Sequence, residues 1–211
     1  MIALVDYGAG NLASVRKALA AVGADVFVPS SPADLEGARG IVIPGVGHFA
    51  ATASLDNGWR GAFGRALDRG VPLLGICLGM QWLFDGSDES PHVPGLGYCR
   101  GRMTRLPARS EDGLRIKVPH VGWNVVTMLE PDNDVSQAVS QGLKALDGRH
   151  VYFTHTFAAP VTGDCVGVTN HGARFAAIVA RGSAWGVQFH PEKSGEAGLT
   201  LLRAFVKRRR G

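Results

Sequence analysis

Leu73-Leu74-Gly75-Ile76-Cys77-Leu78-Gly79-Met80-Gln81 is the stretch on which the reading of the chain turns. Its first four residues form a short continuous apolar run, the pattern of a strand buried on both faces. Leu78 to Phe84 then carry a helical pattern, and between the two stands Cys77, flanked by Gly75 and Gly79. Strand, sharp turn and helix, with small residues two positions either side, is the form of a nucleophile elbow, here with cysteine where hydrolases often carry serine. A side chain at such a turn sits in strained backbone, so its flanking positions must be small. The turn also puts the sulfur at a helix N-terminus, where the dipole and free N–H groups favour a thiolate. A lone cysteine after an apolar strand is more often a core residue. The flanking glycines make the elbow reading competitive.

Outward from this stretch the same alternation recurs. Ile2 to Val5 is an apolar run of strand length, Gly8-Ala9-Gly10-Asn11 a turn, and Leu12, Val15, Leu19 and Val22 one face of a helix. Val26-Phe27-Val28 and Ile41-Val42-Ile43 are further strands, closed by Pro29 and by Pro44-Gly45. Leu55, Trp59, Phe63 and Leu67 step by four along a helix that Gly70 ends. Continuous apolar strands alternating with amphipathic helices imply an α/β fold, a mostly parallel sheet with helices on both faces. Downstream, strand patterns at 151–153, 165–168, 177–179 and 185–189 follow closely without long helices between them. These imply antiparallel or mixed sheet, separate or extending the first. A last helix spans roughly 198–207. With no linker, repeat or low-complexity segment, residues 1–211 read as one domain.

Of 211 residues, 45% are apolar and 19% charged, which excludes a disordered chain. The 29 glycines have no G-X-Y period, so collagen is excluded and many tight turns are implied. The net charge of +4 includes the run Lys207-Arg208-Arg209-Arg210, read as a solvated helix end. No aromatic-interleaved basic patch points to nucleic acid. Cys77, Cys99 and Cys165 are too few and too dispersed for a disulfide framework or a metal site, and Cys99 and Cys165 read as core residues. No basic leader precedes Asp6, and the longest apolar stretch, 71–84, is interrupted and too short to span a membrane. The expectation is a cytoplasmic protein with reduced thiols, no membrane contact and no cofactor or metal.

Gln188-Phe189-His190-Pro191-Glu192 supplies the elbow's natural complement. In extended backbone, residues i and i+2 share a side, which would set Glu192 beside His190. A carboxylate there fixes the imidazole tautomer and raises its basicity, the requirement for a base serving a nucleophile. Alone, His-Pro-Glu is a weak signal; with a cysteine elbow it makes a candidate Cys77–His190–Glu192 triad. Pro44-Gly45-Val46-Gly47-His48 follows the third strand, at the strand ends where open parallel sheets bind ligands. Its N–H groups, with that of Leu78, could face a developing oxyanion; the plainer reading is an ordinary strand-to-helix loop. Gly8-Ala9-Gly10-Asn11-Leu12-Ala13 matches a dinucleotide fingerprint, but no acid closes the second strand, so nucleotide binding is not expected. His48, His92, His150 and His171 read as loop or surface residues.

Taken together, Gly-Ile-Cys-Leu-Gly-Met-Gln at 75–81, Pro-Gly-Val-Gly at 44–47 and His-Pro-Glu at 190–192 resemble the class I, triad-type glutamine amidotransferases. Five further matches narrow the resemblance to the glutaminase subunits of imidazole glycerol phosphate synthase: the segments 7–14, 120–124, 152–155 and 190–194, and Val46 in a segment that other branches make richer in glycine. The resemblance covers the chain from first strand to last helix. It implies a flavodoxin-like fold and a glutaminase that feeds ammonia to a separate (β/α)8 cyclase subunit in a heterodimer. The products there are imidazole glycerol phosphate and an aminoimidazole-carboxamide ribonucleotide (AICAR), in histidine biosynthesis.

Carried over residue by residue, the resemblance makes Cys77 the nucleophile, His190 the acid–base and Glu192 its orienter. The oxyanion donors are Val46, Gly47 and Leu78, with the peptide at Val46 requiring reorientation before the hole is complete. Glutamine contacts fall to Gln81, Glu89 and the backbone around His155 and Thr156, although 84–89 is looser than the family's acidic version. Asn11, Trp123, Tyr152 and Lys193 match partner-interface positions; Trp123 also has the plain reading of a core indole. Two other functions compete: a stand-alone cysteine hydrolase acting on γ-glutamyl or peptide bonds, and a catalytically idle scaffolding subunit.

Overall fold

A computed structural model of the chain describes residues 1–130 and 142–208. The strands β1 (Ile2–Leu4), β2 (Val26–Phe27), β3 (Gly40–Ile43) and β4 (Leu73–Ile76) are interleaved with α1 (Leu12–Ala21) and α2 (Asn57–Asp68), and α3 (Leu78–Trp82) follows β4 directly. Two short strands, β5 (Gly86–Ser87) and β6 (Arg102–Arg105), lead to β7 (His120–Val125) and β8 (Thr127–Met128). Then come β9 (His150–His155), β10 (Phe157–Ala158), β11 (Cys165–Asn170), β12 (Arg174–Arg181), β13 (Ala184–Val187) and the helix α4 (Gly195–Arg208).

One sheet of eight strands, in the order β2-β1-β3-β4-β13-β12-β11-β8, runs through the molecule. Its first five strands are parallel and the remaining three antiparallel, so β8, β11, β12 and β13 extend the first sheet, whereas β9 pairs with β7 in a separate sheet and β10 with β6 in another. Alternate side chains point to opposite faces. Ile2, Leu4, Val42 and Leu74 join Val15 and Leu19 of α1 and Leu201, Leu202 and Phe205 of α4 on one face. Ala3, Val5, Ile41, Ile43 and Leu73 meet Phe63 and Leu67 of α2 and Met80 and Trp82 of α3 on the other. Burial on both faces is why these strands read as unbroken apolar runs. Each large side chain so enclosed contributes about 1.5–3 kcal/mol.

Several boundaries differ from expectation. Leu55 precedes α2, because Asp56 caps that helix by accepting from the Gly58 and Trp59 N–H groups at 2.9 and 3.2 Å. The helix of 78–84 ends at Trp82; Leu83 and Phe84 stay apolar because they remain buried after it stops. α4 starts three residues early, and Gly198 lies within it because a Cβ there would overlap the Pro191 carbonyl. The basic run is only partly a solvated end. Arg208 lays its guanidinium 5.5 Å over the Trp185 ring and donates to the Gly182 carbonyl at 2.9 Å; Arg209 and Arg210 lie outside the described residues. Among the described residues no helix is long and apolar enough to cross a membrane.

Candidate active site

Cys77 takes φ 51° and ψ −104°, and among the described residues it is the non-glycine with positive φ. Its glycines are sterically required. A Cβ at Gly79 would overlap the Ile43 carbonyl, and one at Gly75 would approach the Gly79 carbonyl and Met80 nitrogen to 2.7 Å. Strain of this kind persists only where surrounding structure over-determines it, and it clusters at functional sites. The Cys77 N–H donates to the Val187 carbonyl at 2.8 Å, tying the elbow to β13. Three residues past Val187 stands His190, so the nucleophile and base candidates leave the C-terminal ends of hydrogen-bonded neighbouring strands.

His190 Nδ1 donates to Glu192 Oε1 at 2.8 Å, with each side chain 2% exposed. The two adjoin through the 3-10 turn Pro191–Lys193 rather than through extended backbone, correcting the expected route to the pair. Burial opposes charge on the imidazole, but the Cys77 sulfur and the Glu192 carboxylate outweigh it and hold the pKa up at about 9. Nε2 has no hydrogen-bond partner among the described residues. Ser194, whose role sequence reading missed, fixes the backbone: its hydroxyl donates to the His190 carbonyl at 2.6 Å and accepts from the Tyr152 N–H at 3.0 Å. The His190 N–H in turn donates to the Tyr152 carbonyl at 2.9 Å.

A cavity of about 250 Å³ opens at the sulfur, lined by Gly47, Leu78, Gln81, Glu89, Thr154, His155, Thr156 and Phe157 among others. Gln81 donates from Nε2 to the Phe157 carbonyl at 3.0 Å and to Gln188 Oε1 at 3.1 Å. Glu89 Oε2 accepts from the Phe49 N–H at 2.7 Å, which commits one carboxylate oxygen to the protein. The His155 ring is fully engaged: Nδ1 donates to the Phe157 carbonyl at 2.9 Å and Nε2 meets His120 Nδ1 at 3.1 Å. Burial pushes its pKa down to about 3 and that of His120 to about 4, so both rings are neutral. At 155 only the backbone remains for a substrate, while Thr156 also lines the cavity.

The candidate oxyanion segment is closed on itself. The Leu78 N–H donates to the Gly45 carbonyl at 3.4 Å. In a trans peptide C=O and N–H point oppositely, so the Val46 N–H faces away from Leu78. The Tyr7 hydroxyl occupies the space a Gly45 Cβ would need; it is buried with no hydrogen-bond partner among the described residues, and burial and Cys77 raise its pKa. Val46 is 38% exposed and Gly47 has φ +100°.

At the rim, Trp123 is 56% exposed, which excludes the core-indole reading. It pairs across strands with Tyr152, ring centroids 6.0 Å apart, and Lys193 Nζ lies 5.6 Å over the Tyr152 ring. Asn11 caps α1 by accepting from the Ser14 N–H at 3.1 Å, and α1 packs on the 191–193 turn. Of the histidines read as surface residues, His48 is exposed and caps a 3-10 turn, whereas His171 stacks on His120 at 4.0 Å. Cys99 and Cys165 are buried free thiols whose pKa values burial pushes up to about 12 and about 11.

The family model for glutamine amidotransferase class-I matches residues 3–208. The imidazole glycerol phosphate synthase subunit HisH of Thermococcus kodakarensis is 45% identical, over 97% of this chain and 98% of its own. Its counterpart from Geobacillus sp. is 40% identical, over 98% and 96%. A crystal structure of a glutamine amidotransferase superposes over 100% of both chains with a TM-score of 0.73 at 18% identity, a likeness of fold. Full-length identity of this order places the chain among the class-I glutamine amidotransferases, in the branch of the imidazole glycerol phosphate synthase glutaminase subunits.

Proposed function

We propose that residues 1–211 act as one domain that hydrolyses glutamine and passes the ammonia to a (β/α)8 cyclase subunit, in a heterodimer making imidazole glycerol phosphate and AICAR. The observation that carries the reading is the strained Cys77 beside a His190–Glu192 pair of 2.8 Å. In the reaction, the Cys77 thiolate attacks the glutamine carboxamide carbon, and the oxyanion forms against the Leu78 N–H and, once the Gly45–Val46 peptide has turned over, the Val46 N–H. One such donor is worth about 10²–10³ in rate. The His190 imidazolium gives its proton to the departing ammonia, leaving a γ-glutamyl thioester. Neutral His190 then takes a proton from water, which attacks the thioester and releases glutamate and the thiolate. Glu192 orients the ring throughout.

Glutamine's amino-acid end rests against Gln81, the free face of Glu89 and the backbone at 155–156. Trp123, Tyr152, Lys193 and Asn11 form the docking face for the cyclase. A stand-alone hydrolase gives no reason for an exposed indole set edge to face against a tyrosine that a lysine covers. The test is Cys77→Ala in the reconstituted complex: glutamine-dependent turnover is lost while ammonium-dependent turnover persists. Loss of both overturns ammonia transfer. Stoichiometric labelling of Cys77 by a glutamine-mimicking chloroketone excludes an idle subunit.

A further inference from the structure

Gln188 is fully buried at 0% exposure, two residues before His190. Its backbone N–H donates to the Ala177 carbonyl at 2.9 Å, so the main chain holds the residue without help from its side chain. The side-chain amide lies between two groups: Oε1 faces Gln81 Nε2 at 3.1 Å, and Nε2 faces Cys77 Sγ at 3.5 Å.

Which end of that amide meets the sulfur follows from donor–acceptor logic alone. The Phe157 carbonyl can only accept, so the Gln81 side chain must turn its NH2 toward it, at 3.0 Å. The same NH2 has one further hydrogen, directed at Gln188. Gln188 must therefore present its oxygen to Gln81, which leaves its own NH2 facing Sγ. His155 donates to the same carbonyl at 2.9 Å and holds it in place. A one-way sequence of hydrogen bonds thus starts from a backbone carbonyl and ends with a donor on the nucleophile.

We infer that Gln188 is a further catalytic residue, whose amide N–H stabilises and aims the Cys77 thiolate, and that Gln81 is a positioning residue that sets the polarity of that amide. A donor bonded to sulfur favours the charged form without engaging the imidazole, whose Nε2 has no hydrogen-bond partner among the described residues and is available to the leaving ammonia. Gln81 therefore acts on the nucleophile as well as on substrate. The inference rests on Cys77 being the nucleophile, a reading that chloroketone labelling of the unaltered protein tests separately.

The experiment uses Gln188→Met and Gln81→Met, near in shape to glutamine but without the donor, in the full chain. Iodoacetamide carries no amino-acid end, so the pH profile of Cys77 alkylation reports the sulfur and not glutamine binding. The other titratable groups acting on this sulfur, His190 and Tyr7, are unchanged in both variants. The expected result is an upward shift of the alkylation midpoint by about one pH unit for Gln188→Met. Gln81→Met shifts the midpoint in the same direction although residue 81 does not bond the sulfur. An unchanged midpoint in Gln188→Met protein that melts as the parent does overturns the inference. A shift in Gln188→Met with none in Gln81→Met overturns the orienting role of Gln81. If Gln188→Met does not fold, an unmoved midpoint in folded Gln81→Met overturns the inference.

Discussion

The Cys77 amide and the Val187 carbonyl, 2.8 Å apart, join the elbow to the strand that carries the imidazole. A bond between neighbouring parallel strands thereby sets the spacing of two groups 113 positions apart in the chain. The reacting geometry is a property of sheet register, so substitutions that disturb the strand ends reach the chemistry directly.

Gly79→Ala puts a methyl group into the Ile43 carbonyl. The backbone must shift, and overpacking of this kind costs about 1–3 kcal/mol. Urea denaturation should show that loss, and glutaminase activity should fall further than stability alone explains, because the same shift displaces Cys77.

The raised pKa of His190 links its charge to folding. A folded pKa of about 9 against an ordinary 6.5 means the pairing is fully stabilising below pH 6.5 and is lost as pH rises through about 9. Glu192→Gln removes one of the groups that holds the ring charged. The stability difference between parent and variant should be about 1.5–3 kcal/mol at pH 6 and shrink toward zero by pH 10, read by chemical denaturation across that range. Glutamine turnover should decline above pH 9, as the proton donor for ammonia is lost.

Trp123→Ala separates folding from docking. An indole 56% exposed contributes little to the isolated chain, so stability should change by less than about 0.5 kcal/mol. Affinity for the cyclase should drop by at least about 2 kcal/mol, measured by calorimetry. Equal affinities would remove Trp123 from the interface.

Glutaminase activity of the lone chain should be low and rise when the cyclase binds its nucleotide ligand, since the Leu78 donor is occupied by the Gly45 carbonyl. Steady-state glutamate release, with and without partner and ligand, gives the comparison. Identical rates would refute the coupling.

Sequence reading found the parallel half of the sheet because β1, β3 and β4 are buried on both faces and so stand out as unbroken apolar runs. It did not resolve β7, whose residues His-Val-Gly-Trp-Asn-Val mix buried and exposed positions, or β5, β8 and β10, two residues each. The elbow was legible because steric demand writes itself as glycine at 75 and 79. Gln188 was not, since an amide's role depends on which end its neighbours turn toward the sulfur. The direction of the Gly45–Val46 peptide was equally hidden: composition shows that a segment can turn, not which way it faces. His120 of β7 stacks on His171 from the bend after β11, a pairing that no local pattern announces.

The Leu78–Gly45 bond, at 3.4 Å, is long against the usual 2.9–3.0 Å and belongs at the weak end of such contacts. A latch that weak opposes a turn of the Gly45–Val46 peptide only slightly, so a partner that favours the turned form need supply very little preference to swing the balance.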